Sequence, residues 1–276
     1  MNIVTSRLPL EDAVLVSVDA TQGSAPREAG AWMAVFARDV VGTIGGGHLE
    51  FEAIAEARRR LVSDAPAEPV RQYSLGPSLG QCCGGTMRLR FERIAATDIA
   101  ALETQLAPRL APLALFGGGH VGKALVDVLS ALPFAITWID SRDEIFPQQV
   151  PPNVRCEHSD PVHAAVADLA PGSRVLIMSF SHAEDLDIVA ACLQRVRAGS
   201  PGGLAPELPY IGLIGSKTKW ATFRRRLEQR GFTADELARV TCPIGLPGIA
   251  GKEPEVIAVS VAAQILQLAP PAGAAP

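Results

Sequence analysis

Three groups of residues in this chain have types and spacing suited to chemistry. The first is Gly117-Gly118-Gly119-His120 with Gly122, which ends an apolar run from Leu113 to Phe116 and opens an amphipathic pattern. Strand, tight turn and helix is the setting in which G-x-G-x-x-G spacing serves phosphate binding. Gly117 permits the turn, Gly119 lets backbone approach a phosphate, and Gly122 lets helix pack on strand. The first-turn N–H groups and partial positive charge of such a helix suit an anion. Asp140 closes the next apolar run 23 residues after Gly117, near the roughly 20 at which an acid meets a ribose hydroxyl. The second group, Gly45-Gly46-Gly47-His48, repeats the same tetrad earlier in the chain. His48 and His120 stand at the mouths of their turns, placed either to donate to a ligand oxygen or to cap local backbone. The repeat leads us to expect both helix starts to face one ligand between two domains. Cys82-Cys83, adjacent thiols in a glycine-rich stretch, form the third group. A thiolate is a soft donor suited to sulfur chemistry or to a soft metal.

Weaker candidates lie further on. Ser216-Lys217 follows the apolar run Tyr210 to Gly215 and starts a helical pattern. Ser216 suits an N-cap, and its hydroxyl with Lys217 or Lys219 would also hold a phosphate oxygen. His182 and Asp185 follow another apolar run, where they either touch ligand or start a helix. Cys156, Cys192 and Cys242 fall in ordinary packing contexts. Neither C-x-x-C nor H-E-x-x-H occurs, which argues against a structural zinc site.

These residues need elements to position them. Apolar runs at Ala13 to Asp19, Ala31 to Phe36, Val40 to Ile44 and Val70 to Leu75 read as strands. In Thr86 to Ile94, Met87, Leu89 and Phe91 alternate with charged residues, which predicts another. A helix after His48 is expected to bury Phe51, Ile54, Ala55, Leu61 and Val62. Glu50 and Glu52 sit in its first turn, which weakens the case for an external anion there, and Arg58 to Arg60 should form a solvated face. From residue 112 strand and helix patterns alternate, which implies a parallel sheet. Helices are expected over 120–132, 161–169, 183–197, from 216 onward and over 256–266; the last is apolar nearly all round, as for a buried helix or a subunit contact. The fold class is therefore α/β: a C-terminal Rossmann-like, doubly wound parallel sheet with a smaller mixed α+β N-terminal domain. We place the N-terminal domain at residues 1–96, a linker helix at 97–111, the Rossmann-like domain at 112–268 and a flexible tail at 269–276. In that sheet the loops Gly117–Gly122, Asp140, Ser179–His182 and Gly215–Lys219 should share the carboxyl rim.

The 276 residues carry a net charge of −4 and are 48% hydrophobic, which disfavours nucleic acid as a partner. No signal-peptide pattern opens the chain, and no apolar stretch reaches the roughly 20 residues of a membrane span. A cytoplasmic protein with no membrane partner is the expectation.

Taken together, Gly23 to Arg27, Gly42 to Glu50, Cys83-Gly84-Gly85, Phe116 to Gly122, Asp140-Ser141-Arg142, Ile211 to Lys217 and Pro243 to Leu246 resemble the XdhC/CoxI family. Its members are accessory proteins of xanthine dehydrogenase and related molybdenum hydroxylases. The resemblance covers nearly the whole chain. It implies a non-catalytic chaperone that holds the molybdenum cofactor, in its molybdopterin form, during sulfuration and delivers it to xanthine dehydrogenase. Implied partners are xanthine dehydrogenase, a cysteine desulfurase and a molybdenum cofactor nucleotidyltransferase, with the chain itself a homodimer. The expected cofactor contacts are Gly117, Gly118, Gly119, His120, Gly122, Asp140, Arg142, Ser216, Lys217, Gly46, Gly47, His48, Cys82 and Cys83, the two cysteines also being the expected metal ligands. One departure stands out: the helix expected before Ala13 in such proteins is not evident. The competing class is an NAD-dependent oxidoreductase, suggested by the glycine fingerprint and Asp140 but lacking a clear acid–base pair.

Overall fold

Alternating apolar residues build the first unit around a five-stranded antiparallel sheet. A computed structural model describes residues 3–63, 68–75, 85–107, 110–199 and 207–268 of the chain. Cys82 and Cys83 lie outside the described residues. The strands β1 (Ala13–Gln22), β2 (Trp32–Val35), β3 (Val40–Gly42), β4 (Val70–Ser74) and β5 (Thr86–Ile94) pair in the order β3-β2-β1-β5-β4. Residues of β1 and β5 face each other in register, Val16 opposite Phe91 and Val18 opposite Leu89, so one face is continuous in apolar side chains. Helix α2 (Gly47–Val62) covers that face through Leu49, Ala53 and Ala57. Spacing of four residues sets this stripe. Phe51, Ala55 and Val62 point outward instead, Val62 at 89% exposure, which corrects the expected inward face.

Two short helices, α1 (Ile3–Arg7) and α3 (Ile99–Gln105), close the opposite face with Leu15, Ala34, Phe36 and Ile94. A helix therefore does precede Ala13. It is too short to carry a legible period, but Val4 and Leu8 are both buried. Within the 97–111 range expected as a linker helix, α3 covers Ile99–Gln105, and its Leu102 and the following Leu106 belong to this core. The arginines near the end of α2 are not simply solvated: Arg60 pairs with Glu56 at 2.8 Å and lies 4.4 Å over the Phe91 ring.

The chain divides into two compact units, residues 1–107 and 108–275. In the second, six parallel strands pair in the order β11-β10-β9-β6-β7-β8. They are β6 (Ala111–Phe116), β7 (Phe134–Asp140), β8 (Val154–His158), β9 (Arg174–Ile177), β10 (Tyr210–Leu213) and β11 (Val240–Thr241). The chain builds outward from β6 through β7 to β8, then returns to β9 on the other side of β6. The topological switch point lies between β6 and β9, and in such sheets ligands bind beyond the strand ends at that point.

Both faces are covered, as parallel sheets require. Alternate residues Leu113, Leu115 and Leu176 pack under α4 (His120–Leu129) and α8 (Pro254–Leu266). Ala114, Phe116, Val175 and Ile177 pack under α5 (His182–Ala198) and α6 (Lys217–Gln229). A four-residue helix α7 (Ala234–Leu237) precedes β11. Residues Val162–Asp168, expected as α-helix, form 3-10 turns. Among the described residues no helix is long and apolar enough to cross a membrane.

Candidate functional site at the switch point

The glycine turn after β6 is built from three constraints. Gly117 has φ +125°, and a Cβ there would lie 2.0 Å from the Met178 carbonyl oxygen of the β9 loop. Only glycine fits so close an approach. Gly122 packs its helix on the turn, since a Cβ would stand 2.0 Å from the Gly117 carbonyl oxygen. The Trp138 indole donates to that same oxygen at 3.0 Å. Gly118 is buried under Ile145 and donates its N–H to Asp140 Oδ2 at 2.6 Å.

Gly119 is different. It is exposed, its φ is −70°, and a Cβ there would meet nothing within 4 Å. It is the N-cap of α4, which has no side-chain cap. The first α-type bond runs from the Lys123 N–H to the Gly119 carbonyl at 2.9 Å. The amides of His120, Val121 and Gly122 thus precede the helical ladder at the exposed end. His120 is itself exposed beside them. By contrast, Ser181 caps α5 by accepting from Glu184 N–H, and Ser216 caps α6 by accepting from Lys219 N–H. Ser216 therefore fills the structural role its position allowed, with Lys217 exposed next to it.

Asp140 is almost fully buried, and its carboxylate is engaged by its own chain. Oδ2 accepts from Gly118 N–H and Arg142 Nη2, and Oδ1 accepts from Arg142 N–H and Nε at 3.0 and 2.8 Å. Burial alone would raise the Asp140 carboxyl, but the bonds from Arg142 and Gly118 outweigh it and hold it below the usual carboxylate range. Arg142 is correspondingly raised by that pairing. The carboxylate expected to meet a ribose is thus the anchor of the turn and of Arg142.

Further contacts tie the rim loops together. The Arg142 guanidinium lies 4.5 Å over the Phe180 ring. Ser141 donates to Glu184 Oε1 at 2.7 Å, while Glu184 Oε2 accepts the Phe180 N–H at 3.1 Å. Asp185 accepts from Ser179 N–H and hydroxyl and from Lys219 Nζ at 2.6 Å. The structure brings Gly117 to Gly122, Asp140, Arg142, Ser179 to Ser181 and Ser216 to Lys219 to one rim. Beyond Lys217, a cavity of about 470 Å³ is lined by Ile244, Leu246, Ile249 and the first turn of α8. Phe180 and Glu184 escaped the sequence reading. The signal was present: Ser181-His182-Ala183-Glu184 is an S-x-x-E helix start, which puts Phe180 at the strand end.

In the earlier tetrad, in the first unit, the Gly45 N–H donates to the Thr43 hydroxyl and the Gly46 N–H to Glu50. Glu50 Oε2 accepts from Ile44 N–H, Gly46 N–H and the Thr43 hydroxyl. Burial would raise that carboxyl, yet these bonds hold it below the usual range. Gly47 opens α2, and His48 is exposed, 3.3 Å from Glu52. At Gly46 the amide is met by the chain's own carboxylate. Among the described residues no cluster of three or more His, Cys, Asp or Glu side chains is arranged for a metal.

Fold and turn define a two-unit α/β protein whose second unit is a Rossmann domain with an exposed glycine turn at its switch point. Residues 113–265 match the model of the XdhC Rossmann domain, and residues 10–74 match that of the XdhC and CoxI family. The chain belongs to the XdhC and CoxI family. A curated relative, the uncharacterized protein YqeB of Escherichia coli K12, is 28% identical over 97% of this chain. The match spans 46% of that protein's length, so the chain corresponds to about half of it. A solved structure from Bacillus halodurans described as a xanthine dehydrogenase superposes with a TM-score of 0.76 at 21% identity, covering 96% of this chain and 94% of the other. That likeness concerns the fold.

Proposed function

We propose that this protein is an accessory factor in the maturation of xanthine dehydrogenase. On this reading it binds the molybdenum cofactor in its molybdopterin form, holds it during sulfuration and delivers it to the dehydrogenase. Family membership supports the accessory role. The observation that carries the binding site is the open Gly119 corner, where the uncapped first turn of α4 meets space that a Cβ would fill. An uncapped helix start suits the cofactor's phosphate, so the residues present fit the group. Gly119, His120 and Val121 would hold the phosphate through their amides, with Lys217 adding charge from the same rim. Asp140 would act behind the ligand by fixing Gly118 and Arg142. Cys82 and Cys83 are proposed to approach the metal or its sulfur, and Gly46, Gly47 and His48 to contribute through the exposed His48.

When bound, the cofactor supplies the redox centre that the dehydrogenase later uses. This chain's own part is to bind, orient and release it, as a carrier and not a catalyst. A cysteine desulfurase and a cofactor nucleotidyltransferase belong to the same reading as partners, as do the cytoplasm as location and a homodimer.

Titrating the purified full chain with molybdopterin-form cofactor, read by pterin and tryptophan fluorescence, tests this. Saturable binding followed by transfer to apo-xanthine dehydrogenase is expected. Gly119→Val should abolish binding while leaving the melting temperature unchanged, because its side chain meets open space. The double change Cys82→Ala and Cys83→Ala should weaken retention without unfolding. Failure of the wild-type chain to bind, or normal binding by Gly119→Val, overturns the site.

A further inference from the structure

The loops that follow β7 and β9 touch each other, although β6 lies between those strands in the sheet. The Arg142–Phe180 stack and the Ser141–Glu184 hydrogen bond therefore both pass over the carboxyl end of β6, where the glycine turn sits. An extended dinucleotide in this fold runs across that end, from the acid after the second strand to the far side of the switch point. In this protein the acid, Asp140, is already engaged by Gly118 and Arg142. The path beyond it is crossed twice.

Phe180 is itself unusual. It is 67% exposed, yet polar contacts hold it firmly. Its N–H is fixed by Glu184, the neighbouring Ser179 by Asp185, and the cation above its ring by Asp140. Arg142 lies 4.5 Å over the ring, and the side chain is still largely exposed. An aromatic face presented this rigidly, beside a turn suited to phosphate, is what stacks a planar heterocycle.

We infer that Phe180 is the stacking platform for the ring system of a ligand whose single phosphate lies at the Gly119 turn, and that the Arg142–Phe180 bridge excludes ligands extended across β6, dinucleotides among them. This rests on the cofactor site proposed above. It adds a ring-binding residue and a size limit to it.

The test uses the full chain and the variants Phe180→Ala, Phe180→Leu and Phe180→Trp. Each is titrated with the molybdopterin form of the cofactor, with its dinucleotide form and with NADH, read by fluorescence, with melting temperatures taken in parallel. Wild type should bind the molybdopterin form most tightly, by at least about tenfold or 1.4 kcal/mol, because the bridge obstructs the longer ligands. Phe180→Ala and Phe180→Leu should both lose about tenfold in affinity, and Phe180→Trp should retain it. Should Phe180→Ala bind like wild type while Gly119→Val does not bind, the platform is wrong and the phosphate site stands. Full binding by Phe180→Leu would also remove the stacking role, and that variant decides the matter if Phe180→Ala does not fold. Equal affinity for NADH and the molybdopterin form overturns the size limit. Absence of any binding by wild type overturns the site and this inference together.

Discussion

Four glycines around one turn divide their work by what each Cβ would meet. Gly122→Ala would drive a methyl to 2.0 Å from the Gly117 carbonyl, so it should lower stability by several kcal/mol, on the order of other overpacked sites, in a denaturant melt. Gly119→Val should leave that melt unchanged. Spacing alone makes the roles of Gly117, Gly119 and Gly122 legible, because each follows from the geometry of a strand-to-helix turn. It does not reveal that Gly118 is covered by Ile145 or that its N–H goes to Asp140. Those partners arrive from 22 and more residues away with no local pattern to announce them. Asp140 itself is legible as an acid at a strand end, and its partners are not. Asp140→Asn should cost about 1–3 kcal/mol through the loss of charged bonds to Arg142. The pH profile gives a second readout. Because Asp140 is held below its unfolded value, its stabilising contribution is complete above the ordinary carboxylate range near pH 4 and fades as pH falls through the lower folded value. Melting temperature should therefore drop less steeply on acidification in Asp140→Asn than in wild type.

Among the elements, helix α6 is anchored by the pairing of Lys219 with buried Asp185, which also holds the end of β9 through Ser179. Lys219→Met leaves that carboxylate without its cation. It should destabilise the second unit by about 3–5 kcal/mol in urea unfolding. Helices α4, α5 and α6 are readable because each has apolar residues at helical spacing, and α8 because its apolar run is too long for a strand. β11 has two residues and α7 four, too few to show any period, and neither was expected. Residues 162–168 carry helical spacing but settle into 3-10 turns directly after Pro161, a case of context overriding propensity. The inward face of α2 departs from its apolar pattern for a different reason. Its buried stripe is Leu49, Ala53 and Ala57, and small alanines signal burial less loudly than Phe51, which points out at 69% exposure.

For the whole molecule, strand and helix alternation after residue 112 shows a parallel sheet, but strand order cannot be read from it. The switch point exists because β9 pairs with β6 and not with β8, a long-range choice made by packing. Each unit closes its own cores, with separate apolar clusters on both faces of both sheets. Residues 110–276 expressed alone should therefore unfold as one cooperative transition by circular dichroism, and a broad, non-cooperative melt would contradict a self-contained second unit.

Glu50 carries a last consequence. By placing its carboxylate on the amides of Ile44 and Gly46, it acts as a competitor tethered to its own socket. A tethered group works at an effective concentration of millimolar or higher, so a free phosphate at ordinary cellular levels would have to displace it first. Both Gly-Gly-Gly-His signatures thus keep the amide of their second glycine on a carboxylate of the chain, Glu50 in one and Asp140 in the other.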